Sequence, residues 1–123
     1  MPADHGRRVL LVDDELTILV TLQDDLEANG YVVVAARDGP TALRLLADGS
    51  FGAVVTDLRL PGADGAVVVQ AAHARDAATR ILVMSADLAG REASLRAAGA
   101  EACLTKPFAN LEVLTWLGAL RTA

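Results

Sequence analysis

The sequence predicts an α/β fold built on a doubly wound parallel sheet. Three observations predict it: five short apolar runs recur along the chain, each too short for an ordinary helix; a segment with helical spacing follows every run; and glycine-containing pairs punctuate the junctions.

The first run, Val9 to Val12, reads as a strand buried on both faces, where apolar residues continue without alternation. A helix over 15–29 follows, with Ile18, Leu22 and Leu26 at i, i+4, i+8 as the stripe expected to face the sheet. Leu16 and Val20 fall on roughly its opposite face. The remaining strands are Tyr31 to Ala36, Ala53 to Thr56, Ile81 to Met84 and Ala102 to Leu104, with helices over 39–48, 64–74, 88–98 and 110–121. In the last helix Asn110 is the expected N-cap, and Val113, Leu114, Leu117 and Leu120 form the packing stripe. Trp116, at the edge of that stripe, either closes the core or projects beside the fifth strand as a partner anchor. Asn29-Gly30, Asp38-Gly39, Asp48-Gly49 and Ala98-Gly99 place glycine where a helix ends or a turn needs positive φ.

At 123 residues the chain is long enough for one domain with its own core, expected over 8–121 behind a short tail at 1–7. A net charge of −5 repels phosphate backbones, so direct nucleic-acid binding is not expected. The apolar stretches are too short to span a bilayer and Met1 to Arg8 lacks the apolar core of a signal peptide, which reads as a soluble cytoplasmic protein with no membrane partner. Cys103 is the single cysteine, so no internal disulfide can form, and a redox role would require a depressed pKa and exposure. His5 and His73 have no companion ligands at useful spacing.

In an open α/β sheet the ligand site lies outside the carboxyl ends of the strands, so the polar residues that end the apolar runs carry the chemistry. Strand one ends in Asp13-Asp14 followed by Glu15, strand three in Thr56-Asp57, strand four in Ser85 and strand five in Thr105-Lys106-Pro107. Three carboxylates from neighbouring strands repel one another unless a cation sits among them, and hard oxygen donors suit Mg²⁺, with Mn²⁺ a possible substitute. With that charge neutralised, Asp57 can attack a phosphoryl group in line, Lys106 can supply a point charge and Ser85 a hydrogen bond. Each signal alone is weak, since acidic pairs also form solvated turns and favour helix N-termini; their order and strand phase raise the joint weight.

Together, VLLVDDE, VVTDLRLPGADG, ILVMSA and GAEACLTKPF resemble the response-regulator receiver family of two-component signalling, over nearly the whole chain. The resemblance implies a flavodoxin-like, three-layer α/β/α arrangement with strand order 2-1-3-4-5. It implies Asp57 as phosphoacceptor, Asp13 and Asp14 as metal-binding acids beside it, and the Arg59 backbone carbonyl as a further Mg²⁺ ligand. Ser85 and Lys106 match the family's switch hydroxyl and lysine, and the Lys106–Pro107 bond is expected to be cis, which only proline makes cheap. The implied phosphodonor is a sensor histidine kinase, a histidine phosphotransfer protein or a small acyl phosphate. The resemblance further implies that the domain assists its own phosphorylation and is not an enzyme in the ordinary sense.

The chain departs from the family at Cys103, where an aromatic residue usually stands. Either the loop after Ser85, with Ala86 and Asp87, communicates the switch, or the domain serves as a phosphoryl relay or sink. Arg59 and Asp87 flank the phosphoacceptor and either pair across it or stand apart as solvated side chains. Leu16 and Val20 lie on the helix face that receivers present to a kinase, and are expected in a docking patch, with Trp116 as its candidate anchor. Three other readings compete. A flavin module needs small residues and hydroxyls after strand one, and a dehalogenase-like hydrolase needs Asp-x-Asp there; the sequence has Asp13-Asp14-Glu15. A pseudo-receiver acting by contact alone is kept open by Cys103, although every residue needed for phosphorylation is present.

Overall fold

The computed structural model of the chain describes residues 6–118. Five strands and five helices alternate: β1 Arg8–Val12, α1 Leu16–Ala28, β2 Val32–Ala36, α2 Gly39–Asp48, β3 Ala53–Asp57, α3 Gly65–Arg75, β4 Arg80–Ser85, α4 Glu92–Ala98, β5 Ala102–Thr105 and α5 Asn110–Gly118. The strands form one parallel sheet in the order β2-β1-β3-β4-β5, the flavodoxin-like order that the resemblance implies.

Successive side chains of a strand point to opposite faces, and the two halves of the core follow that alternation. Leu10, Val12, Val54, Ile81 and Val83 pack beneath α2, α3 and α4, against Leu46, Val69, Ala72 and Leu95. Val9, Leu11, Val55, Leu82 and Met84 pack on the other face beneath α1 and α5, against Leu22, Leu26, Val113 and Leu117. Both faces of the inner strands are therefore covered, which is why the sequence shows unbroken apolar runs there. No helix among the described residues is long and apolar enough to cross a membrane.

Four details differ from the sequence reading. The buried stripe of α1 is Leu19, Leu22 and Leu26, while Ile18 turns half out toward α5. The fourth helix begins at Glu92 rather than near 88, because Ala89 (φ 43°) and Gly90 (φ 78°) occupy the left-handed region and cannot continue a helix. Asn110 is already helical, and its amide donates to Asp25 on α1 (2.8 Å) while the Glu112 carboxylate accepts from the Ala109 N–H (3.0 Å). Of the four glycines expected at helix ends or turns, Gly30 (φ 90°) and Gly99 (φ 127°) adopt positive φ; Gly39 opens α2 instead, behind Asp38, whose carboxylate accepts from Thr41 N–H at 2.7 Å. Leu120, the continuation of α5 to 121, His5 and most of the expected tail lie outside the described residues.

Trp116 takes the edge-closing placement. Its indole N–H donates to Glu101 (3.1 Å), and the Arg80 guanidinium lies 4.4 Å from the ring centroid, donates to the Trp116 carbonyl (3.1 Å) and forks onto the Glu101 carboxylate. These Arg80 bonds hold the Glu101 carboxyl below the ordinary glutamate range. A carboxyl so depressed adds stability above its unfolded-state pKa and loses it as pH falls through the folded value. Arg80→Ala should therefore lower the unfolding free energy at neutral pH by about 1–2 kcal/mol, through lost stacking and charge-assisted bonds. Denaturant titrations in acid, where Glu101 is protonated, should show a smaller deficit.

Candidate functional site

The register of the sheet brings the polar strand ends together. Val12 pairs with Thr56, Asp57 with Met84 and Ser85 with Thr105, so Asp13, Asp57, Ser85 and Lys106 gather at one edge. Asp57, Ser85 and Lys106 line a cleft of about 300 Å³ with Asp14, Glu15, Arg59 and Ala86, and Asp13 lies buried behind it.

Asp13 is wholly buried. One carboxylate oxygen accepts from the Glu15 N–H (2.9 Å), and the other from Lys106 Nζ (3.0 Å). Burial pushes its pKa up; the Glu15 N–H and the Lys106 ammonium oppose that push without cancelling it. Asp57 closes β3 almost as deeply buried, accepting from Lys106 Nζ at 3.1 Å and, at 3.4 Å, from the Arg59 N–H. Lys106 also donates to Glu15 at 3.0 Å, so its ammonium serves three carboxylates. Burial alone would lower the lysine pKa, but the bonds to Asp13, Glu15 and Asp57 outweigh it and hold Lys106 far above its ordinary range. The Lys106–Pro107 bond is cis.

Carboxylate oxygens of Asp13, Asp14 and Asp57 all lie within 4.8 Å of one another. An all-oxygen set of this kind, with one exposed member and an open cleft beside it, fits a hard divalent cation that keeps some of its water.

Ser85 is buried at the end of β4, and its hydroxyl is engaged locally, donating to the Asp87 carbonyl (2.9 Å) and accepting from the Asp87 N–H (3.1 Å). Among the described residues no ion pair joins Arg59 to Asp87, so the two stand as separate exposed side chains. The cross-loop pair is instead Arg91 with Asp64, two bonds of 3.2 Å between the loop after β4 and the N-cap of α3. Burial pushes Asp64 up, but Arg91 and the Ala66 N–H outweigh it and hold the carboxyl below its ordinary value. Cys103 is half-buried on β5 against the α4 side of the core, and its thiol is pushed up by burial and by Glu92. That is the opposite of the depressed pKa a redox sensor needs. His73 is exposed on α3.

Sequence reasoning gave no role to Glu15 or Gly65. Glu15 is the N-cap of α1 but makes no side-chain capping bond, forgoing about 1 kcal/mol that a Ser, Thr, Asp or Asn could supply. Its place directly after the acid pair was the only available signal. Gly65 donates to the Leu58 carbonyl (2.6 Å), and a Cβ there would fall on the Asp57 carbonyl oxygen, so only glycine lets α3 start this close to the phosphoacceptor candidate. No linear spacing signals that approach.

Known proteins share this fold. The family model described as the response regulator receiver domain matches residues 9–117. The transcriptional regulatory protein PrrA of Mycobacterium tuberculosis is 38% identical over 115 residues, which cover 92% of this chain and 49% of PrrA. The chain thus spans about half the length of the curated relatives it matches. A response regulator from Burkholderia pseudomallei, solved with a phosphorylated aspartic acid, a calcium ion and citrate, is 27% identical with a TM-score of 0.84, over 90% of this chain and 66% of that one. The receiver domain of the sensor histidine kinase PA1611 from Pseudomonas aeruginosa, solved with magnesium in its active-site cleft, is 26% identical with a TM-score of 0.82, over 96% of this chain and 99% of that one. With its sheet order, its acidic strand ends and a family match that runs from β1 into α5, the chain belongs to the response regulator receiver domain family.

Proposed function

We propose that the chain is a phosphoacceptor that takes a phosphoryl group onto Asp57 from a phosphohistidine or a small acyl phosphate. The observation that carries this reading is the single Lys106 ammonium bonded to both Asp13 and Asp57 in a cleft open to solvent. Asp57 is the nucleophile: one carboxylate oxygen forms the new O–P bond as the P–N bond to the donor imidazole breaks, and the imidazole takes its proton from solvent. Lys106 stays beside the attacked carboxylate and exchanges its Asp57 bond for a phosphoryl oxygen. Ser85 can donate to another phosphoryl oxygen once its hydroxyl leaves the Asp87 carbonyl, which makes the segment Ser85-Ala86-Asp87 the element that registers the modification. Asp13, Asp14, Asp57 and the Arg59 carbonyl are the groups that would hold Mg²⁺, or Mn²⁺ in its place. The chemistry it supplies there is neutralisation of charge on the phosphoryl oxygens.

Incubation with acetyl phosphate and Mg²⁺ should add the mass of one phosphoryl group, measured on the intact protein. Asp57→Asn and chelation by EDTA should each abolish the gain; a label that persists in the Asn variant overturns the assignment.

We further propose a sensor histidine kinase or a histidine phosphotransfer protein as donor, in keeping with the family. Leu16 and Val20, 53% and 47% exposed, are large apolar side chains on α1, the helix that follows the acid pair. This is the supporting surface for docking, and Trp116 is already committed to Arg80 and Glu101. The double substitution Leu16→Glu, Val20→Glu should slow transfer from a cognate kinase about tenfold, the scale of an interface hot spot, and leave transfer from acetyl phosphate unchanged. Equal rates with the kinase remove the patch from the proposal.

A further inference from the structure

We propose that Glu15 is a positioning residue that keeps the Lys106 ammonium at the cleft when a divalent cation claims the Asp13 and Asp57 carboxylates. The inference rests on the metal-dependent reading above. Lys106 has three N–H donors, and its bonds to Asp13, Glu15 and Asp57 use all of them at 3.0, 3.0 and 3.1 Å. Two of those partners, Asp13 and Asp57, belong to the three-carboxylate group spaced to hold a metal. Ammonium and cation therefore compete for the same two side chains. Among the described residues Glu15 is the one Lys106 partner outside that group.

Two features of Glu15 point the same way. It occupies the N-cap of α1 in an extended conformation, yet its side chain makes no capping bond and reaches across to Lys106, 91 residues away in sequence. Its own N–H is fixed by Asp13, so the backbone that carries the Glu15 carboxylate is tied to the carboxylate that the ammonium must yield. Lys106 is mostly buried, with 10% of its side chain exposed, and a buried ammonium stripped of partners resists the exchange. With Glu15 holding it, the ammonium moves aside without leaving, and remains in reach of a phosphoryl oxygen on Asp57.

A double-substitution cycle on the full chain tests this, with Mg²⁺ binding followed by calorimetry. Glu15→Gln should weaken Mg²⁺ about fivefold when Lys106 is present, and less than about twofold in the Lys106→Met background, where no ammonium needs a second partner. Glu15→Asp, which keeps the charge but is one methylene shorter, should follow Gln. If Glu15→Gln costs the same in both backgrounds, or if Glu15→Asp binds like the wild type, Glu15 acts through its charge alone and the inference fails while the metal reading stands. If the wild-type chain takes up no Mg²⁺, the metal reading itself fails and the inference falls with it.

Discussion

One ammonium shared among carboxylates organises the functional end of this molecule. Asp13 and Asp57 are carried by neighbouring strands into a buried setting, and among the described residues only Lys106, from the far side of β4, is bonded to both. The depth of Asp13 gives the arrangement its character, because burial raises its pKa even against a charged partner. In the proposed reaction, a site so poor in positive charge would resist filling with a phosphoryl anion until a cation arrived, which would make metal, acceptor and lysine one unit.

The sheet imposes that meeting. Parallel register sends every strand's carboxyl end to one edge, and the central strands are fixed by apolar side chains on both faces. Gly65 then lets α3 begin hard against the Asp57 backbone, while Leu88 anchors the loop after β4 in the core. Between Leu88 and the start of α4, Ala89 and Gly90 turn the chain sharply, and Arg91 is clasped to the N-cap of α3. The loop that carries the Ser85 hydroxyl's partners is thus held at both ends and irregular between them.

Much of this was legible in the residues themselves. Unbroken apolar runs at Val9 to Val12 and Ile81 to Met84 could only be buried strands or pieces of buried helix, and their length decided between them. Acids and a lysine placed at strand ends marked the position of the cleft. Side-chain choices that depend on three-dimensional neighbours were not legible. Helical spacing cannot tell Ile18 from Leu19 as the inward residue when both are apolar, and nothing linear pairs Arg91 with Asp64 or Glu15 with Lys106. The early left-handed turn at Ala89 was hidden for a similar reason: alanine favours helices, yet here, directly after buried Leu88, it takes a φ of 43°.

The clasp around Trp116 carries a consequence for spectroscopy. It is the single tryptophan of the chain, fixed to Arg80 at the start of β4, whereas Ser85 ends that strand. At about 3.3 Å per residue, most of a strand's length separates the indole from the cleft. Its fluorescence therefore reports the environment of α5 and the opposite rim of the sheet, and ion or phosphoryl occupancy does not quench it by contact. Any shift in its emission on modification would be a signal that the disturbance has crossed the whole domain.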